Sequence, residues 1–178
     1  IHISSNISFD NLAPLSNYSG KPGSKNKGGL SFEEYKKRQA QHHIAEVNAL
    51  LDTPRFIDKS QRIYGYPNFI CDTGGSICEV VNPEDPNDPI LKTLSENTLM
   101  VWIQGSDRHT DELIKRFDKN PKPMCYHPDF LNSKWEEYLQ LNNCQMEEVD
   151  PDTFVRWTYA KALEHRNPIY KAMASWGI

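Results

Sequence analysis

The stretch TLMVWIQ, from Thr98 to Gln104, decides the fold class that the sequence predicts. It is apolar, it is rich in residues favoured in strands, and it lacks the alternation of a strand with one wet face. A shorter run of the same kind extends from Phe69 to Cys71. Helical patterns flank both runs, which is typical of an α/β fold with a buried parallel sheet. We therefore predict one three-layer α/β domain over residues 1–178, a parallel sheet flanked by helices with extra helices at the C-terminal end.

Helix signals surround the two apolar runs. Ser31 and Glu34 form an S-x-x-E capping box that predicts the start of a long helix. Its inward stripe, at helical spacing, is predicted to consist of Ala40, Ile44, Val47 and Leu51. Further helices are predicted from Thr53-Pro54 to about Tyr64, over Ile90 to Leu94, from Ser106 or Asp107, over Pro128 to Asn142, from Asp150-Pro151, and again from Asn167-Pro168.

Composition narrows the functional classes. The net charge of −4 gives no general basic footprint for nucleic acid. No apolar run approaches the length that crosses a bilayer, and the four cysteines are scattered without zinc spacing. These features predict a cytoplasmic protein with reduced thiols. Residues 4–29 are predicted to form a flexible polar loop, and the start at Ile1 suggests that N-terminal sequence is missing.

The segment NFICDTGGSICEVV, residues 68–81, contains the motif that carries the functional argument. Its D-T-G-x-S pattern resembles the active-site loop of aspartic proteases. That chemistry requires two aspartates that share a proton, each on a β-loop. The chain contains one such motif, and most of the sequence after Ser31 is predicted to be helical, so the protease interpretation is rejected.

In a parallel sheet the same motif has a different meaning. Asp72 would lie at the carboxyl end of a strand, where ligands bind in open α/β sheets, and Gly74-Gly75 would let a ligand approach the backbone closely. A carboxylate there holds Mg²⁺ or accepts a proton from a substrate hydroxyl. The structural alternative is a turn in which Asp72 or Ser76 caps the next turn of backbone. The motif alone leaves these two interpretations open.

The order of motifs along the chain resembles the shikimate-kinase-like group of P-loop kinases and ATPases. A Gly-Gly turn after a buried strand comes first. The segment LMVWIQGSDRHTDELIKRFDKNPKPM, residues 99–124, then has the pattern of a strand, a helix and a basic lid. An R-x-P-x-Y element, from Arg166 to Tyr170, precedes the end of the chain. The resemblance spans Phe69 to Met173 and rests on this succession.

The resemblance implies a set of site residues, with ATP and Mg²⁺ as cofactors and a small hydroxylated metabolite as acceptor. Asp72 and Arg116 would be catalytic, and Asp72 would also hold the metal. The residues implied for the substrate site are Thr73, Gly74, Gly75 and Ser76. Those implied for the nucleotide are Arg116, Lys119, Lys122 and Arg166. The alternative is that Arg116, Lys119 and Lys122 form the solvated end of a helix, where cations are favoured by the helix dipole.

The family's phosphate-binding loop is absent from this sequence, so the kinase hypothesis requires it to precede Ile1. The second hypothesis is a non-catalytic α/β interaction module that binds a protein partner through an acidic surface and aromatic-rich helices. Its candidate contact residues are Trp135, Trp157 and Trp176, although tryptophans at such positions are also typical of a core.

Overall fold

A computed structural model of the chain describes residues 17–121 and 124–176, and this part of the protein is helical. Strand pairing within it is limited to one isolated parallel bridge between Pro22 and Leu30. The prediction of an α/β fold with a three-layer parallel sheet is therefore wrong, as is the P-loop-kinase-like architecture that it supported. The sequence also favours the end of a strand at Ile1 to Ile3, and these residues lie outside the described part of the chain.

Residues 17–19 are helical, and six α-helices follow them along the described chain, with three 3₁₀ turns before or between these six. The α-helices are α1 (Phe32–Leu51), α2 (Thr53–Tyr64), α3 (Pro89–Asn97), α4 (Asp107–Lys119), α5 (Pro128–Asn142) and α6 (Pro151–Met173). The 3₁₀ turns are Lys25–Lys27, Gly75–Glu79 and Met146–Glu148.

Local capping explains where these helices begin. The Ser31 side chain accepts a hydrogen bond from the Glu34 backbone N–H, which confirms the predicted start of α1. Asp88 caps α3 by accepting from the backbone N–H groups of Ile90 and Leu91. Asp150 caps α6 in the same way, with Pro151 as its first residue. These short-range signals lie in the sequence, and the predicted helix starts were correct at these places.

Two helical predictions were wrong. The predicted inward stripe of α1 faces outward at Ala40, Ile44 and Leu51, because the helix buries Tyr35, Gln39 and Leu50 instead. Pro168 does not begin a separate helix but lies inside α6.

The described residues form two hydrophobic clusters. The aromatic core lies between α1, α5 and α6, and the Phe154 ring packs edge-on against Trp135 and Tyr138. The aliphatic core lies between α1, α3, the 3₁₀ turn at Gly75–Glu79 and the end of α6. Its buried members are Leu50, Ile77, Cys78, Ile90, Leu91, Leu94 and Met173.

The two runs that were predicted to be buried strands have no regular secondary structure. Phe69 to Cys71 and Thr98 to Gln104 are neither helix nor strand, since neither pairs with another strand in the described part of the chain. Their side chains are largely exposed. A strand-forming sequence becomes a sheet only when its backbone groups meet a partner strand, and this is the physical reason why the α/β prediction failed.

Candidate functional site

The glycine pair in the DTGGS motif is explained by contacts within the chain. Gly74 has φ 59° and ψ −167°, a backbone conformation that is open essentially to glycine alone. Gly75 lies against α6, where a Cβ atom on it would be 2.5 Å from the Arg166 guanidinium and 3.2 Å from the Tyr170 hydroxyl. The structure thus brings together two predicted site residues, Gly75 and Arg166. The group that approaches the glycine backbone is a side chain of the same protein.

Arg166 forms a buried ion pair with Glu79. Its Nε donates to Glu79 Oε1 at 2.6 Å, and one of its two terminal nitrogens, Nη2, donates to the backbone carbonyl of Cys125 at 3.1 Å. The second Glu79 oxygen accepts from the backbone N–H of His127 at 2.7 Å. Burial alone would lower the pKa of Arg166, but the Glu79 carboxylate outweighs that effect and raises it. The pair joins the 3₁₀ turn, the segment before α5 and α6.

Two thiols flank this ion pair, and both are poor nucleophiles. Burial raises the pKa of Cys78 to about 12, although Arg166 lowers it in part. Burial likewise raises the pKa of Cys125 to about 12, and the Glu79 charge adds to the effect. Because the thiolate is the reactive form, both groups remain inert thiols at neutral pH. The ion pair and the thiols around Arg166 therefore stabilise the fold.

The polar residues of the motif are occupied by local hydrogen bonds. The exposed Asp72 side chain accepts from the Gly74 backbone N–H at 3.3 Å, which is an Asx turn. Ser76 Oγ donates to Glu46 Oε1 at 2.5 Å and lies 3.4 Å from the Thr73 carbonyl. These bonds hold the motif as a local turn, although neither Asp72 nor Ser76 caps the 3₁₀ turn Gly75–Glu79, which has no side-chain cap.

The predicted nucleotide-binding cations lie on a different element. Arg116 and Lys119 are exposed in the last turn of α4, which buries Phe117 against the Tyr159 ring of α6. Lys122 lies outside the described residues. Among the residues that the structure describes, no hydrogen bond or ion pair links Arg116 or Lys119 to the DTGGS motif.

Two further observations concern the predicted metal and phosphate sites. Over residues 17–121 and 124–176 there is no group of three or more His, Cys, Asp or Glu side chains placed to hold a metal ion. In the lysine-rich loop, Lys27 lies 3.6 Å from Asp150 and Lys21 pairs with Asp152. These two lysines therefore have carboxylate partners at the start of α6.

The most unusual surface of the molecule is the connection between α3 and α4, residues 98–105, which we call the open segment. Leu99, Val101 and Ile103 are 87%, 74% and 90% exposed. The intervening Met100 and Trp102 are half-buried. This alternation has the period of two that an extended chain produces, with one side facing the protein and the other facing solvent.

The backbone of the open segment has no partner within the described chain. Thr98 (φ −140°, ψ 155°) and Ser106 (φ −100°, ψ 172°) at its two ends have extended conformations. Between them, residues 99–105 make no backbone–backbone hydrogen bond to any described residue. The segment therefore presents strand-like side chains together with unpaired backbone donors and acceptors.

Inward contacts hold the open segment in place. The Trp102 ring is stacked on Tyr170 of α6, with the ring centroids 6.3 Å apart and the planes 12° from parallel. Met100 packs against the aliphatic core. One face of the segment is thus anchored, which leaves the other face in a fixed position to receive a ligand.

The shorter run beside it is exposed as well. Ile70 is 91% exposed, and residues 67–72 make no backbone–backbone hydrogen bond within the described chain. This run leads into Gly75, which lies beside Tyr170, the residue on which Trp102 stacks. The two exposed runs therefore approach the same position on α6.

The exposed face of the open segment was not predicted from the sequence, and Glu79 was not among the predicted site residues. The tryptophans proposed as contact residues are instead packing residues. Trp135 is buried, Trp157 is partly buried against the aromatic core, and Trp176 donates to the Pro83 carbonyl at 3.1 Å. The absence of alternation in residues 98–104 was a signal for an extended chain, but it also favoured burial on both faces, which was incorrect.

No described helix has both the length and the hydropathy required to cross a bilayer. No known family model matches the chain, and neither does any curated protein or solved structure. The resemblance to P-loop kinases, with its ATP, Mg²⁺ and metabolite acceptor, accordingly stays a prediction. The contacts described above give it no support, and the open segment is the best candidate for a functional site.

Proposed function

We propose that the protein is a non-catalytic helical interaction module whose open segment pairs with an extended strand of a protein partner. The observation that carries the proposal is the alternating exposure of Leu99, Val101 and Ile103 on a backbone that makes no backbone–backbone hydrogen bond to any described residue. The proposal keeps the protein-interaction module that was the second hypothesis from the sequence, but it uses a different surface and a helical fold.

The backbone and the exposed side chains of the open segment both suit an extended peptide. A peptide that adds to a strand gains affinity from main-chain hydrogen bonds and specificity from every second side chain. Residues 99–105 offer the main-chain groups, and the three apolar side chains offer the alternating contacts. Each cross-strand pair of such side chains contributes roughly 0.2–1 kcal/mol, and this adds to the main-chain hydrogen bonds in favouring a partner strand.

The anchoring of the segment strengthens the argument. A loose peptide would lose conformational entropy when it formed a strand. Trp102, stacked on Tyr170, and Met100, packed on the aliphatic core, already hold the inner face. Because the segment is already ordered in the folded module, it loses less conformational entropy when a partner binds.

The proposal is tested by selecting ligands for the full chain from a library of random eight-residue peptides displayed on phage. We expect the selected peptides to alternate apolar, β-branched residues. Their affinity should fall at least about tenfold in Val101→Lys, which places a charge in the centre of the contact.

Leu141→Lys is the matched control. Leu141 is 68% exposed on α5, so this variant also replaces an exposed apolar residue with a lysine, but at a distant place in the chain. Peptide binding should be unchanged in it. A selection that yields no peptide dependent on Val101 would overturn the proposed function.

A further inference from the structure

We propose that the partner strand is the open segment of a second copy of this chain. The two segments would run antiparallel about a twofold axis at Val101, forming an isologous dimer. The inference rests on the proposed function and goes further by identifying the partner.

The sequence of the open segment is complementary to itself in this register. Leu99 of one chain lies opposite Ile103 of the other, and Val101 lies opposite its own copy. Met100 lies opposite Trp102 on the inner face. Pairs of aliphatic and aromatic or β-branched side chains directly opposite one another are those that stabilise antiparallel strands. A twofold contact requires such a self-complementary patch.

Charge also favours self-pairing at this position. The protein has a net charge of −4, so two copies repel each other in general. Residues 98–105 contain no charged side chain. The nearest charges are Glu96 and Asp107, and in the proposed register their opposite residues are Ser106 and Ser95. No two like charges therefore face each other along the paired strands.

The pairing resolves two unusual features of one segment together. Alternate residues of the antiparallel pair exchange both backbone hydrogen bonds, which gives about four to six bonds over residues 99–103 of the two chains. The same contact places Leu99, Val101 and Ile103 of the two copies side by side on the outer face, where cross-strand neighbours partly cover each of these side chains. A single strand pair is smaller than a standard interface of about 1,200–2,000 Å². The dimer is therefore expected to be weak unless the neighbouring Ile70 run also contributes.

The register is tested by disulfide trapping in the full chain. Val101→Cys is introduced into a background in which the more accessible thiols are removed by Cys71→Ser and Cys144→Ser. In the proposed dimer, the two residues at position 101 face each other with their Cα atoms about 4.5–5.5 Å apart, within disulfide range. Oxidised glutathione, which accepts the two electrons, should convert most of the protein to a covalent dimer on a non-reducing gel.

Ile103→Cys in the same background is the matched control. Position 103 is at least as exposed as position 101. Antiparallel pairing about Val101 nevertheless separates the two copies of residue 103 by roughly 14 Å, which is too far for a disulfide. Equal trapping of the two variants would overturn the proposed register, because it would report non-specific collision.

Sedimentation of the unmodified chain and of Val101→Lys completes the test. The lysine variant places two like charges opposite each other, so its dimer dissociation constant should rise at least about tenfold. If Val101→Cys is not trapped and the chain sediments as a monomer while Val101-dependent peptides still bind, the second-copy inference is overturned and the proposed function stands. If peptide binding is also absent, both the second-copy inference and the proposed function are overturned.

Discussion

Leu91 and Leu99 are the same residue type in opposite surroundings. Leu91, on α3, is fully buried in the aliphatic core, whereas Leu99, just beyond the end of α3, is 87% exposed. A few residues of chain thus separate a buried helix from a segment whose outer side chains are exposed and whose backbone has no backbone partner among the described residues.

The difference shows where the folded chain has residual affinity. In the aliphatic core, burial of apolar surface has already contributed to folding. In the open segment the corresponding gain is still available to a partner, together with unpaired backbone groups. Large apolar patches of this kind mark interaction sites on soluble proteins. We call the aliphatic core the closed region, in contrast to the open segment.

The largest effect is expected from Glu79→Ala, at the junction of the two cores. The substitution leaves Arg166 charged and buried without its partner, and it removes the acceptor of the His127 N–H. Breaking one side of a buried pair costs about 3–5 kcal/mol. Chemical denaturation should report a loss of this size in the free energy of unfolding.

The double variant Glu79→Leu/Arg166→Met is the control for this prediction. It removes both charges and retains apolar volume, so it should recover much of the lost stability. If the double variant were as unstable as Glu79→Ala, the cost would come from lost packing rather than from an unpaired charge.

Leu91→Ala should also destabilise the protein strongly. Leu91 is packed within the aliphatic core, and truncation of a buried leucine leaves a cavity that costs about 2–5 kcal/mol. Thermal and chemical unfolding should both show this loss. An effect below about 1 kcal/mol would mean that the closed region is not a well-packed core.

Gly75→Ala is expected to have an intermediate effect. The new Cβ would lie 2.5 Å from the Arg166 guanidinium, which Glu79 holds in place. Overpacking of a buried site costs about 1–3 kcal/mol. In the control variant Gly105→Ala, at the end of the open segment, the nearest atom would be 3.3 Å away, on the His109 side chain. Similar losses in both variants would exclude the close contact as the cause.

The helices and the glycine pair show how far the sequence determines this structure. Ser31, Asp150 and Pro151 act on backbone groups within one turn, so pattern and chemistry predict the helix starts. The role of Gly75 depends on Arg166, which lies far along the chain. Its presence signals a close approach, but the sequence does not identify the group that approaches.

The exposed runs show where the sequence is insufficient. TLMVWIQ has a clear preference for an extended backbone, and the structure agrees that the segment is not helical. Whether such a segment becomes a buried strand depends on the presence of partner strands. That is a property of the whole assembly, and for this reason the sheet was predicted incorrectly from a segment that was interpreted correctly at the local level.

A smaller effect is expected at alkaline pH. Burial raises the pKa of Cys78 to about 12 from its ordinary value near 9. The folded state therefore retains a proton that the unfolded chain loses. The corresponding stability is fully present below pH 9 and is lost progressively as the pH rises toward 12. Denaturation between pH 8 and pH 10 should show a falling free energy of unfolding, with a shallower slope in Cys78→Ala. An equal slope in the unmodified chain and in Cys78→Ala would show that the Cys78 thiol does not carry the effect.

The smallest effect on the isolated chain is expected from Leu99→Ala, the counterpart of Leu91→Ala. The Leu99 side chain is mostly in water, so its truncation should change the stability of the dilute chain by less than about 0.5 kcal/mol. At high protein concentration the result should differ. If the open segment pairs with a second copy, unfolding of the unmodified chain becomes concentration-dependent, and Leu99→Ala weakens that dependence. A large destabilisation of the dilute monomer would show that Leu99 packs within its own chain, and the contrast with Leu91 would disappear.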